Sequence, residues 1–265
     1  MEGIRLIPSS KWSLHKFFDR HPVIRGYLPA TALYQPALLD SFLQKYDTVY
    51  IKPSSTHMGK GIMKVWKTDS GYAWVKERGQ TVTASTLGEL KPIVNQSVGN
   101  SKHIIQKGIP LAEVNGRPFD IRVMMLRNGA GKWQYAGMLA KVAGPDSVIT
   151  NVARGGGYVT TVPKALRQSQ AVKSEQVNTV TRELIRLSHH VCSHFNKYKH
   201  SSQIGIDWAV DKKGGLSIIE VNFDFPSHGL FAKLPDKTYY RLIKRLRSQY
   251  LARRARLKKR KPASR

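Results

Sequence analysis

Seven apolar residues, Val177, Val180, Leu184, Leu187, Val191, Phe195 and Tyr198, recur at steps of three and four. That period gathers them on one side of a helix, which is predicted over about 174–198 with the stripe buried. Strand-like runs over 119–127 and 133–142 flank Asn128, Gly129, Ala130 and Gly131, all turn formers, and predict a β-hairpin. A second hairpin is predicted from 204–210 and 216–222, followed by a basic C-terminal helix. Between Lys11 and Gln106 the pattern is mixed. A short helix (12–19) leads to an apolar strand (48–52), a polar loop (53–60) and further strands over 62–66 and 72–77. A helix over 87–96 and an exit strand over 103–106 complete a small lobe. The fold class predicted is α+β.

Size permits a sizeable core, since 265 residues suffice for one large domain or two packed ones. No apolar run reaches the ~18 residues that cross a bilayer, and residues 1–10 lack the basic-then-apolar order of a secretory signal. A cytoplasmic protein without a membrane span is therefore expected. One cysteine, Cys192, excludes an internal disulfide framework and a thiolate metal cluster. Charge changes the picture more. The chain carries 44 Lys and Arg against 17 Asp and Glu, a net charge of +27, and 13 of the basic residues fall between Lys237 and Arg265 without one acid. Such a field fits polyanionic partners, a nucleic acid among them, or a tail that serves solubility alone.

The sharpest chemistry lies in the last hairpin. A four-residue loop, Lys212 to Gly215, pairs Asp211 with Leu216 and sets Asp207 directly across from Glu220. Asn222, two places on, shares that face. Opposed carboxylates repel unless a cation lies between them, and this all-oxygen set suits magnesium, which is usually shared with phosphates. The competing reading pairs one carboxylate with a Lys or Arg. Upstream, Lys52 ends an apolar strand, and the small residues from Ser54 to Gly61 offer backbone amides to phosphate. This is not a Walker loop, because Gly61 follows Lys60 where Ser or Thr is required. Arg122, Lys141 and Arg154 sit in or beside strand-like segments, and Arg154 opens a run of three glycines that is either a phosphate cradle or a surface loop. His190 and His194, one helical turn apart, are read as solvent-facing rather than as metal ligands.

These pieces, in this order from about 7 to 241, resemble the ATP-grasp superfamily, in particular the branch of spore-coat-associated YheC/YheD-type proteins and ribosomal-protein glutamate ligases. The resemblance is carried by Phe-Asp-Ile-Arg at 119–122, Asn-x-x-Arg-Gly-Gly at 151–156, Gly-Ile-Asp at 205–207 and Glu-x-Asn at 220–222. It implies two α+β lobes, 1–105 and 106–240, with nucleotide between them and a basic tail over 241–265; family members usually begin with a further N-terminal domain, which is expected to be absent here. It further implies an ATP-dependent carboxylate–amine ligase that works through an acyl phosphate on an acidic peptide or polymer, with ATP and two Mg2+ ions as cofactors. Lys52 takes the place of the strand lysine on the α- and β-phosphates, with Lys11 or Lys16 as an earlier phosphate contact. Lys60 and Gly61 fall in the phosphate flap, Gln106, Lys107 and Ile109 in the adenine hinge, Glu113 at the ribose acid, and Asn151 at a further nucleotide contact. Arg122 and Arg154, with Lys141 beside them, would steady the transferred phosphate, and Asp207, Glu220 and Asn222 would ligate the metals. Lys141 stands where glutamate ligases tend to use Arg, and Ala153 where they often use His. Endospore-coat association and a coat-protein or polyanion partner for the tail are further implications. The alternatives are a nucleotide-binding scaffold without ligase activity and a nucleic-acid-binding protein.

Overall fold

A computed structural model describes residues 10–56, 60–77, 79–145, 156–223 and 226–259. The first sheet is built from β1 (Thr31–Leu33), β2 (Thr48–Pro53), β3 (Met63–Thr68), β4 (Gly71–Lys76), β5 (Val82–Ala84) and β6 (His103–Lys107), in the order β1-β6-β2-β3-β4-β5 and antiparallel throughout. Alternation decides its faces. Val49, Ile51, Met63, Val65 and Ile105 are buried beneath two helices, α2 (Pro36–Lys45) and α3 (Leu87–Val98), which contribute Leu39, Leu43, Leu90 and Val94. Tyr50, Lys52, Ile104 and Gln106 therefore emerge on the other face. Helix α3 starts where it does because Thr86 accepts the Glu89 amide while the Glu89 carboxylate accepts the Ser85 amide. Helix α1 (Lys11–Asp19) is likewise capped by Ser10, whose hydroxyl accepts the Ser13 amide.

The second sheet comprises β7 (Glu113–Val114), β8 (Arg117–Arg127), β9 (Trp133–Val142), β10 (Tyr158–Thr160), β11 (Gln203–Val210) and β12 (Leu216–Asn222). Its order is β10-β9-β8-β11-β12, with β7 paired to β8. One face packs on α4 (Val162–Ser169) and α5 (Val177–Phe195), burying Ile121, Val123, Ile206 and Trp208 with Leu184, Leu187 and Val191. The other face is divided. At one end, Met124, Leu126, Ala136 and Leu139 are covered by Ile243 and Leu246 of α6 (Thr238–Lys259). At the other end the same face of β8 carries Asp120 and Arg122.

The long predicted helix opens with a 3-10 turn, Ser174–Gln176, before α5 proper. Its histidines are not simply solvent-facing. His194 stacks on Phe17 with ring centroids 4.2 Å apart, and its Nε2 lies 3.2 Å from the Phe17 carbonyl. The last hairpin corrects one expectation and meets another. Leu216 pairs with Val210 rather than Asp211, so the turn is one residue longer than predicted. A β-bulge between Asp207 and Trp208 restores the register, and Asp207 faces Glu220 as expected.

Candidate functional site: a charged cleft between two sheets

Register brings the polar face of the second sheet together. Across β8, β11 and β12, Arg122, Asp207 and Glu220 form one row, and Asp120 pairs with Lys141 in the next. Asp207 is 4% exposed and its four acceptor positions are taken. Arg122 donates twice, Nε to Oδ1 at 2.5 Å and Nη2 to Oδ2 at 2.8 Å. The Lys141 ammonium lies 3.0 Å from Oδ1, and the Asn222 amide donates to Oδ2 at 3.2 Å. The same ammonium is 3.0 Å from Asp120 Oδ1, so Lys141 is clamped between two carboxylates. Burial alone would raise the Asp207 pKa, but Arg122 and Lys141 outweigh it and hold this carboxyl well below the usual range. Burial likewise opposes charge on Lys141, yet Asp120 and Asp207 carry it above the ordinary lysine value. Gly205 permits the arrangement. A Cβ there would sit 3.0 Å from Pro226 and 3.2 Å from the Arg122 Cδ and Nη1 atoms.

The first sheet answers with cations. Lys52 Nζ donates to Gln106 Oε1 at 2.6 Å and lies 5.5 Å above the Tyr50 ring, while Gln106 Nε2 donates to the Thr31 hydroxyl. Lys11, at the start of α1, turns its ammonium onto the carbonyls of Pro53 and Thr56. Burial lowers both lysines, Lys52 to about 8, and Glu220 of the opposite sheet offsets part of each fall. Glu220 thus lies within electrostatic reach of both lysines.

Of the two early lysine candidates, the fold brings Lys11 to this cleft. Lys16 is exposed and sits 5.6 Å over the Trp12 ring. Lys60 is exposed, and the Gly61 amide donates to the Glu77 carboxylate. Gln106 and Lys107 end β6, and Gly108, Ile109 and Pro110 carry the chain from the first sheet to the second, where Leu111 bridges Asp211. The Lys107 side chain, however, lies over the Tyr46 ring. Glu113 is paired with Lys212 of the β11–β12 turn at 2.9 Å. Asn151 and Arg154 lie outside the described residues. Asp120 is the residue to which sequence reasoning gave no role. Its position two before Arg122 on a strand, hence on the same face, was the available signal.

Does this donor set suit a divalent ion? Among the described residues, no three His, Cys, Asp or Glu side chains converge as a metal site. The set consists of two carboxylates and one amide, all hard oxygen donors of the kind magnesium takes. Glu220 and the Asn222 carbonyl oxygen fit that role directly. Asp207 has the right chemistry, but Arg122, Lys141 and Asn222 fill its acceptor positions, so a metal there would have to displace one of these donors.

Two antiparallel sheets flanked by helices, with the carboxylate hairpin on the second, are the architecture of an ATP-grasp protein, a class that in general uses ATP and Mg2+ and acts mostly as ligases. The chain belongs to the YheC/D-like ATP-grasp family, whose model matches residues 7–252. It is 28% identical over 233 residues to the endospore coat-associated protein YheD of Bacillus subtilis (strain 168), covering 84% of this chain and 49% of that protein. It is 24% identical over 223 residues to the endospore coat-associated protein YheC of the same organism, covering 80% of this chain and 58% of the relative. The chain thus spans about half the length of the curated relatives it matches. No described helix is long and apolar enough to cross a membrane.

Proposed function

We propose that this chain is an ATP-dependent carboxylate–amine ligase. A substrate carboxylate oxygen attacks the γ-phosphorus of ATP, releasing ADP and leaving an acyl phosphate. An amine then attacks the carbonyl carbon, the amide bond forms and phosphate departs. The observation that carries this reading is that Lys11 of α1, bound to the Pro53 carbonyl at the end of β2, and Lys52 of β2 both come within electrostatic reach of Glu220 on the second sheet, in whose row lies Arg122, with Lys141 beside it. Cations so arranged hold phosphates and stabilise charge on a transferring phosphoryl group. Lys11 and Lys52 contact the phosphates, the hinge at 106–109 holds the base, and Arg122, Lys141 and Arg154 steady the transferred group. Asp207, Glu220 and Asn222 would hold magnesium, which when bound supplies Lewis acidity at the phosphate oxygens. The division into lobes 1–105 and 106–240 with a tail over 241–265 belongs to the same proposal, with two adjustments: α1 packs on α5 of the second lobe, and α6 seals β8 and β9 through Ile243 and Leu246; Asn151 and Glu113 are proposed as nucleotide contacts. The net charge of +27 favours an acidic peptide or polymer as substrate, and the names of the relatives favour a role at the endospore coat.

One observation favours a second reading, a nucleotide-binding scaffold. Every acceptor position of Asp207 is already occupied by protein donors. The deciding experiment is ADP release with ATP and magnesium against pools of amino acids, acidic peptides and poly-glutamate. Stimulation by one pool, abolished in a folded Glu220→Gln variant, is expected. Full turnover in that variant removes Glu220 from the site, and ATP binding without turnover in any pool selects the scaffold.

A further inference from the structure

Helix α6 has one apolar seam and, beside it, a mixed polar and apolar groove. The seam, Ile243, Leu246 and Tyr250, is turned inward, with Ile243 and Leu246 against β8 and β9 and Tyr250 hydrogen-bonded to His200. Offset around the helix, Lys244, Ser248, Leu251 and Ala255 follow one another at spacings of four, three and four residues, so they share one face that turns from polar to apolar toward the C-terminus. They line a groove of about 490 Å³ whose floor is Leu251, Ala252 and Ala255 and whose rim is Lys244, Arg247 and His228. Leu251 is 54% exposed, more than any other large apolar residue described. From Lys244 to Ala255 the groove extends roughly 16 Å at 1.5 Å per residue, about three helical turns, and its apolar floor occupies the last of them. No acidic residue occurs from Lys237 to the end of the sequence.

We propose that this groove docks an acidic amphipathic helix of a partner protein. Its apolar side chains would seat on Leu251, Ala252 and Ala255, and its carboxylates would meet Lys244 and Arg247. Charge complementarity selects the sign of the partner, and the exposed apolar floor selects its kind. A phosphodiester backbone has nothing to bury on a leucine, and Tyr250, the last aromatic residue of the chain, is buried and offers no base a stacking platform. A second copy of this chain would bring like charge to like charge. The site is remote in kind from the nucleotide cleft and draws on none of its residues.

The test is fluorescence anisotropy at physiological salt with four probes. These are a designed helical peptide with Leu on one face and Glu on the rest, its scramble of the same composition, a short DNA duplex, and phosphatidylglycerol vesicles. The ordered peptide is expected to bind about tenfold or more tighter than its scramble, one decade in Kd being the least that marks a seated apolar face. Leu251→Glu should abolish that preference, and the charge-neutral Leu251→Ala should reduce it about threefold through lost apolar contact. Arg254→Glu, on an exposed position outside the groove, alters charge more than Leu251→Glu does but should weaken both peptides equally and leave the preference intact. Equal binding of peptide and scramble overturns the proposal, as does tighter binding of DNA or vesicles. Loss of preference in Arg254→Glu matching that in Leu251→Glu, with unchanged circular dichroism in both, overturns it too.

Discussion

An ammonium withdrawn from water against one amide oxygen gives up its proton early, and burial brings Lys52 down to about 8 while Glu220 pulls it back and Lys11 adds to the fall. The sign follows from the unfolded value of 10.5. Below pH 8 both states hold the proton, and the cost of burying the charge is borne in full. Between 8 and 10.5 the unfolded chain keeps a proton that the folded one has lost, so stability rises with pH across that window. Lys52→Met should therefore raise the melting temperature of the nucleotide-free protein at pH 7, and the gain should shrink at pH 10. A phosphate beside Lys52 restores its charge, so ATP binding near pH 8.5 should take up a proton, measurable by calorimetry in buffers of different ionisation heat. A second residue-scale test uses Gly205. A methyl group there drives into Pro226 and Arg122, and Gly205→Ala is expected to cost about 1–3 kcal/mol in urea denaturation, the usual range for overpacking. Removing one partner of a buried ion pair is harsher. Asp120→Asn, which leaves the Lys141 ammonium with Asp207 alone, should approach the ~3–5 kcal/mol of such losses.

At the scale of elements, the β11–β12 hairpin explains why the site was partly legible. Asp207 and Glu220 were found opposite one another from a four-residue loop, whereas the real turn is longer and the bulge after Asp207 absorbs the difference. Bulges leave no period in the sequence, so the row was readable and the route to it was not. The turn is held by Asp211, whose Oδ1 accepts the amides of Lys213 and Gly215. Asp211→Ala should cost about 1–2 kcal/mol, the scale of a lost turn hydrogen bond, and speed amide exchange at both positions. Long strands and α5 announced themselves by alternation and by steps of three and four. Strands β1, β5, β7 and β10, two or three residues each, are too short to alternate, and α2 and α4 carry a proline within their first two residues that reads as punctuation. Lys11 and Lys16 were inseparable by spacing. Only the packing of α1, which turns Lys11 toward Pro53 and leaves Lys16 outside, distinguishes them.

Across the whole molecule, charge and chemistry occupy different ends. The charged row of Arg122, Asp207 and Glu220 lies on the second sheet, and the basic C-terminal run begins on α6. Ending the chain after Tyr250, which is buried and bonded to His200, should spare ATP binding and remove the groove. Nucleotide affinity compared with peptide affinity in that truncation checks the separation. The divided face of the second sheet has a further consequence. Met124, Leu126, Ala136 and Leu139 are sealed by Ile243 and Leu246, which lie more than a hundred positions later in the sequence. While the polypeptide is still being made, those strands emerge from the ribosome long before their cover does. A nascent chain halted before residue 243 should therefore display a greasy strip that chaperones recognise, and completing translation should release them.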